Sequence, residues 1–216
     1  MVNFSRSENT MKLRPSAILF DMDGVLVDSL DAWWESLNSS LKAFNLKPMT
    51  REEFIRKYWG HDLRDNLKTM KLDPEIGTFC NTVYSEHLSS IHIYPDTKKT
   101  LETLHQYKKA VITNTPKDCA QQILKQFDIE QFFQVIVTSD EVKFAKPNPE
   151  IIFKACSLLH VQPKEVITIG DTDSDVKAGR AAGCTVIGLN ITADYRITRL
   201  SDLPALLTKP IKPLNR

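Results

Sequence analysis

Asp21 and Asp23 stand two residues apart at the end of an uninterrupted apolar run, in the stretch Ala17-Ile18-Leu19-Phe20-Asp21-Met22-Asp23-Gly24-Val25. Such a run reads as a buried strand whose C-terminal end opens into a reactive loop. That edge of an open α/β sheet is where ligands bind. If extended chain continues through Asp21, the two carboxylates share one side and Met22 turns away. Like charges about 4 Å apart repel by roughly 4 kcal/mol at an effective dielectric of about 20, so the pair calls for a cation, a shared proton or solvent. A solvated turn is the competing reading, because Asp and Gly are ordinary turn residues.

Three further segments put polar groups where a ligand would sit. Val111-Ile112-Thr113-Asn114-Thr115 places a hydroxyl and a backbone N–H just past a strand, which suits an anionic oxygen, although such residues also cap helices. Lys146 precedes Pro147 and Pro149, and prolines stiffen a loop. A lone lysine is ordinarily a surface charge, but one held by rigid backbone serves as a fixed counter-ion. Gly170-Asp171-Thr172-Asp173-Ser174-Asp175 carries three acids within five residues. Mg²⁺ takes oxygen ligands, commonly one or two carboxylates plus substrate phosphate, which makes Asp171 together with Asp21 candidate metal ligands. Asp175 taken alone also reads as a helix cap.

The elements that must position these groups follow from periodicity. After Ser29, Trp33, Leu37, Leu41 and Phe44 recur at intervals of three and four, predicting an amphipathic helix to about residue 45. Thr50 with Glu53 reads as a capping box opening another helix, Trp59 to Arg64 as a turn into a third, and Pro74 with Glu75 as the start of a fourth. No strand is predicted between about 30 and 94. Beyond Tyr94-Pro95-Asp96 a helix carries Leu101 and Leu104. Strand-length runs at 110–113, 135–138, 166–169 and 185–189 then alternate with helical patterns around 118–127, 149–159 and 175–182. That alternation predicts an α/β fold, a parallel sheet flanked by helices. The expected division is a discontinuous core over 12–29 and 95–209, an inserted small α-helical domain over 30–94, and flexible tails at 1–11 and 210–216.

A chain of 216 residues suits one medium domain or a domain with a sizeable insertion. Lys and Arg total 28 against 27 Asp and Glu, a balance that gives no reason to expect nucleic acid or an anionic membrane as partner. Cys80, Cys119, Cys156 and Cys184 lie far apart and show no metal or redox spacing, so buried reduced thiols are expected. No apolar stretch approaches the roughly 20 residues of a membrane span, and the first residues lack a signal peptide's apolar core. A cytoplasmic, reducing compartment is the expectation.

Taken in order, these segments resemble the signature of the haloacid dehalogenase-like superfamily. Asp21-Met22-Asp23-Gly24-Val25 is similar to its first motif, Thr113 to its second, Lys146 to its third and Gly170-Asp171 through Asp175 to its fourth. The resemblance covers nearly the whole chain and points to the branch holding phosphoglycolate phosphatase and β-phosphoglucomutase. It implies a Rossmann-like core under a mobile helical cap. It also implies that Asp21 is a nucleophile forming an aspartyl-phosphate, and that Asp23 protonates the leaving oxygen and then deprotonates the attacking water. Mg²⁺ would be held by Asp21, Asp171 and the backbone carbonyl of Asp23, with Asp175 orienting the shell. Thr113, the N–H of Asn114 and Lys146 would hold phosphoryl oxygens.

Charge supports that assignment. A phosphate monoester of about −2 must approach Asp21 beside Asp171, and Mg²⁺ with Lys146 supplies about +3. Asp23 favours phosphate esters over carbon–halogen bonds, because an alkoxide needs a proton to leave and a halide does not. His61 and Arg64, in the turn at 60–64, are candidates for reading the leaving group of a small phosphorylated metabolite, with a helix start bearing solvated side chains as the alternative. Trp33, Trp34 and Trp59 are expected in the cap's core, with substrate contact as the alternative. Asp96 stands where such relatives commonly carry glycine. The expected activity is hydrolysis of phosphoglycolate-like or sugar phosphates; a phosphomutase and a non-catalytic binding module are the rivals, and oligomeric state is not legible.

Overall fold

A computed structural model describes residues 13–208, so the expected tails and the two outermost core residues, 12 and 209, lie outside the described residues. The chain runs β1 (Ala17–Phe20), β2 (Val27–Asp28), α1 (Leu30–Ala43), α2 (Arg51–Lys57), α3 (Leu63–Thr69), α4 (Glu75–Val83) and β3 (His92–Ile93). It continues through α5 (Thr97–Thr103), β4 (Lys108–Thr113), α6 (Lys117–Gln126), β5 (Val135–Thr138), α7 (Glu150–Leu159) and β6 (Val166–Gly170). Last come α8 (Asp173–Ala182), β7 (Thr185–Leu189), β8 (Tyr195–Ile197) and α9 (Leu203–Thr208).

Six strands form one parallel sheet in the order β5-β4-β1-β6-β7-β8. The run that opened the sequence is its middle, flanked by β4 and β6. Both faces are buried, which is why β1 is continuously apolar rather than alternating. Its alternate residues still divide. Ile18 and Phe20 pack with Leu101, Ile123 and Leu203 of α5, α6 and α9. Ala17 and Leu19 pack on the other face with Ile151, Ala155 and Ala178 of α7 and α8. This is the expected α/β, Rossmann-like arrangement. It brings the C-terminal ends of β1, β4 and β6 to one edge, and the chemistry-bearing segments follow those ends.

The helices α1–α4 stand between β1 and β4 in sequence and have their own apolar cluster, built on Leu37, Leu41, Phe54 and Cys80 with Trp33, Trp34 and Trp59 against it. The expectation of no strand in this region needs correcting at its end. His92–Ile93 pairs antiparallel with Val27–Asp28, joining the two chain segments that lead into and out of the helices, and two-residue strands are too short to leave a sequence pattern. Thr50 does accept the Glu53 N–H at 3.2 Å, but the Glu53 carboxylate goes to Lys57, so only half of the capping box forms. Asp96 accepts the Ser201 N–H at 2.8 Å and so ties the start of α5 to the segment before α9. No helix among the described residues is long and apolar enough to cross a membrane.

Candidate active site

β1 ends at Phe20, so the strand alternation does not carry through to Asp23 and the two acids enter different surroundings. Asp21 is buried; its Oδ1 accepts the Met22 N–H at 2.8 Å and lies 2.8 Å from Lys146 Nζ. Lys146 is buried as well. Its three N–H donors go to Asp21, to Asp175 Oδ1 at 2.7 Å and to the Ile112 carbonyl at 3.1 Å. Asn114 holds the lysine's backbone from both sides, its Oδ1 accepting the Lys146 N–H at 2.9 Å and its Nδ2 donating to the Lys146 carbonyl at 3.0 Å.

Asp175 uses both oxygens. Oδ1 takes Lys146, and Oδ2 accepts from the N–H and hydroxyl of Thr172, the N-cap of α8. The cap position belongs to Thr172, and Asp175 completes the capping box from inside the helix. Asp21, Asp171 and Asp175 each offer a carboxylate oxygen within 4.8 Å of the other two. Asp171 Oδ1 is buried with no hydrogen-bond partner among the described residues. A buried polar atom left open beside two other acids is the feature a cation would satisfy, so the donor set fits a hard divalent ion. Two glycines keep the cluster this tight. A Cβ at Gly24, whose φ is +78°, would stand 2.0 Å from Asp171 Oδ2, and one at Gly170 would stand 2.1 Å from Asp175 Cβ.

Electrostatics agree with a site for positive charge. Burial first, and then the charge of Asp175, push the Asp21 carboxyl well above its ordinary value despite Lys146. The same causes push Asp171 up to about 7. Burial alone would lower the Lys146 ammonium, but Asp175 and Asp21 outweigh it and raise it.

Asp23 has no place in that oxygen cluster. Its carboxylate accepts from Ser29 through Oδ1, and from Thr113 at 3.1 Å and Thr115 at 2.7 Å through Oδ2. Thr113, the expected holder of a phosphoryl oxygen, donates its hydroxyl to Asp23 here. Ser29 and Thr115 were given no role by sequence reasoning. The available signal was the spacing of Thr115, two residues beyond Thr113 and therefore on the same side of extended chain.

The remaining candidates divide. A cavity of about 60 Å³ is walled by Asp21, Asp23, Lys146 and Asn114 below and by residues of α1, α2 and the turn after α2 above. His61 lines it, with Nδ1 3.5 Å from Ser174 Oγ. Arg64 does not line it. Its Nη2 donates to the Ser139 carbonyl at 2.8 Å and its Nε to Asp62 at 3.0 Å, so it joins the start of α3 to the chain after β5. Trp33 and Trp59 belong both to the helical cluster and to the cavity wall, whereas Trp34 donates to the Met49 carbonyl. Gly60 accepts from Asn114 Nδ2 at 3.2 Å and lies so near Thr172 that a Cβ would stand 2.6 Å from its methyl.

A family profile described as haloacid dehalogenase-like hydrolase matches residues 18–189. A phosphoglycolate phosphatase of Haemophilus influenzae is 32% identical over 195 residues, covering 82% of this chain and 87% of its own. The pyrophosphatase PpaX of Anoxybacillus flavithermus is 29% identical over 208 residues, covering 89% and 96%. Among solved structures, CbbY of Rhodobacter sphaeroides in complex with phosphate superposes with a TM-score of 0.79 at 20% identity, covering 88% of this chain and 96% of its own, a likeness of fold.

Proposed function

We propose, from the premise that this chain belongs to the haloacid dehalogenase-like hydrolase family, that it is a Mg²⁺-dependent phosphatase of small phosphate monoesters working through an aspartyl-phosphate on Asp21. The observation that carries the reading is the separation of the two acids at the β1 end. Asp21 sits against Lys146 in the carboxylate cluster, while Asp23 is held apart by three hydroxyls. A nucleophile and a general acid–base need that division of environment.

Three carboxylates, Asp21, Asp171 and Asp175, against one ammonium, Lys146, leave −2 when all are ionised, and a divalent cation brings the sum to zero. Mg²⁺ would be held by Asp21, Asp171 and the backbone carbonyl of Asp23, with Asp175 fixing Lys146 and the start of α8. When bound, it supplies neutralising charge to the phosphoryl oxygens. Asp21 Oδ attacks phosphorus as the ester oxygen departs with the proton of Asp23. Asp23, now ionised, takes a proton from the water that attacks the aspartyl-phosphate, returning both carboxyls to their starting forms. Lys146 holds Asp21 in place and offsets charge at the transferred group; Asn114 fixes the lysine's backbone.

In this reading α1–α4 and their flanks, 30–94, act as the cap over a core formed by 12–29 and 95–209. The four free, buried cysteines fit a reducing, cytoplasmic setting. The lining favours hydrolysis over the phosphomutase alternative, since a sugar's second phosphate needs a second fixed cation and Lys146 is the only lysine or arginine among the described residues in it. The test is phosphate release from a panel of monoesters with Mg²⁺, together with acid-quenched mass spectrometry of the enzyme. Release is expected, with a phosphoryl group on Asp21 that is absent in Asp21→Asn. Isomerised sugar phosphate without free phosphate would support the mutase, and silence across the whole panel a binding module.

A further inference from the structure

The cavity over Asp21 has a roof of Trp33, Leu37, Phe54, Tyr58, Trp59 and Leu63. It is a built surface. Tyr84 stacks on Trp33 with ring centroids 4.2 Å apart, and Phe54 meets Trp59 edge to face at 6.2 Å. Of the amides near it, Asn114 gives both N–H groups away, to the Lys146 and Gly60 carbonyls, and Asn66 gives one, to the Tyr58 carbonyl at 2.9 Å. The permanent cations are committed. All three donors of Lys146 are taken at the floor, and Arg64 is turned to Asp62 and Ser139. His61 is the one other lining side chain able to carry positive charge, and it is exposed beside Ser174.

A leaving group bearing its own carboxylate or phosphate would therefore be pressed against indole and phenyl rings with no fixed cation to meet it, and unpaired charge is what an apolar site rejects most strongly. The relatives named for phosphoglycolate and for pyrophosphate have, by those names, leaving groups that carry charge. Resting on the phosphatase reading above, we infer that the leaving group of the natural substrate is an uncharged and largely apolar alcohol.

Isobutyl phosphate and 2-phosphoglycolate test this directly, being nearly isosteric primary esters that differ in the charge of the leaving group. With the wild-type enzyme and Mg²⁺, kcat/KM for isobutyl phosphate is expected to exceed that for 2-phosphoglycolate and for pyrophosphate at least tenfold. Trp59→Ala is expected to lower kcat/KM for isobutyl phosphate about tenfold, chiefly through KM, with Trp59→Phe recovering most of it and 2-phosphoglycolate shifting less than threefold. Turnover of 2-phosphoglycolate or pyrophosphate equal to or faster than that of isobutyl phosphate overturns the inference and leaves the phosphatase reading standing. If no ester is hydrolysed, both fall. The wild-type comparison decides the matter even if the tryptophan variants do not fold.

Discussion

At the scale of single residues, the two acids of the β1 end are alike in sequence and opposite in surroundings. Asp21 is buried with Lys146 and two further carboxylates, whereas Asp23 is ringed by the hydroxyls of Ser29, Thr113 and Thr115. Hydroxyls can rotate to donate to a carboxylate or to accept from a carboxylic acid, so this ring serves both protonation states that an acid–base group passes through. Asp23→Asn keeps the shape and the hydrogen-bonding capacity but removes the proton-carrying group. Turnover of an alkyl phosphate is expected to fall by about 10²- to 10⁴-fold, while the Mg²⁺ concentration giving half-maximal thermal stabilisation should move by less than about threefold, since only the backbone carbonyl of Asp23 is assigned to the ion. Undiminished hydrolysis by this variant would falsify the acid–base role.

At the scale of elements, what could be read from the sequence was what period and composition carry. The apolar runs of β1 and of β4 to β7 are four to six residues long and mostly buried, so each announced itself. Tyr195–Ile197 did not, because a three-residue strand with exposed Arg196 at its centre is too short to establish a pattern. The same brevity hid β2 and β3. Side-chain partners across elements were harder still: Arg64 stands three residues from His61, and nothing in their spacing tells that one lines the cavity while the other reaches Ser139. As a tether between the start of α3 and the chain after β5, Arg64 acts on every substrate alike. Arg64→Ala is expected to lower kcat/KM by about threefold for charged and uncharged leaving groups equally, in keeping with one half-exposed hydrogen bond. A loss confined to 2-phosphoglycolate, measured against isobutyl phosphate, would return Arg64 to the role of reading the leaving group.

At the scale of the whole molecule, the sheet gathers acids that the metal-free protein holds ionised only at a cost in stability. Burial and the charge of Asp175 push the Asp171 carboxyl from its ordinary 3.8 up to about 7, and Asp21 is raised as well. A carboxyl whose folded value lies above its unfolded value binds more protons folded than unfolded between the two, so stability falls as pH rises across that window, here from about pH 4 to about pH 7. Lys146 is also raised, but its contribution is lost only at strongly alkaline pH and does not enter the window. The metal-free protein is therefore expected to melt at a lower temperature at pH 8 than its behaviour at pH 5 would suggest. Mg²⁺, which competes with protons for these oxygens, should act chiefly at the higher pH. At about 100 times its Kd the ion adds roughly 2.7 kcal/mol, a rise in Tm of about 5–10 °C for a chain of this size. Differential scanning fluorimetry with and without chelator at the two pH values checks this, and an equal Mg²⁺ shift at both would mean that the buried acids are not where the ion binds.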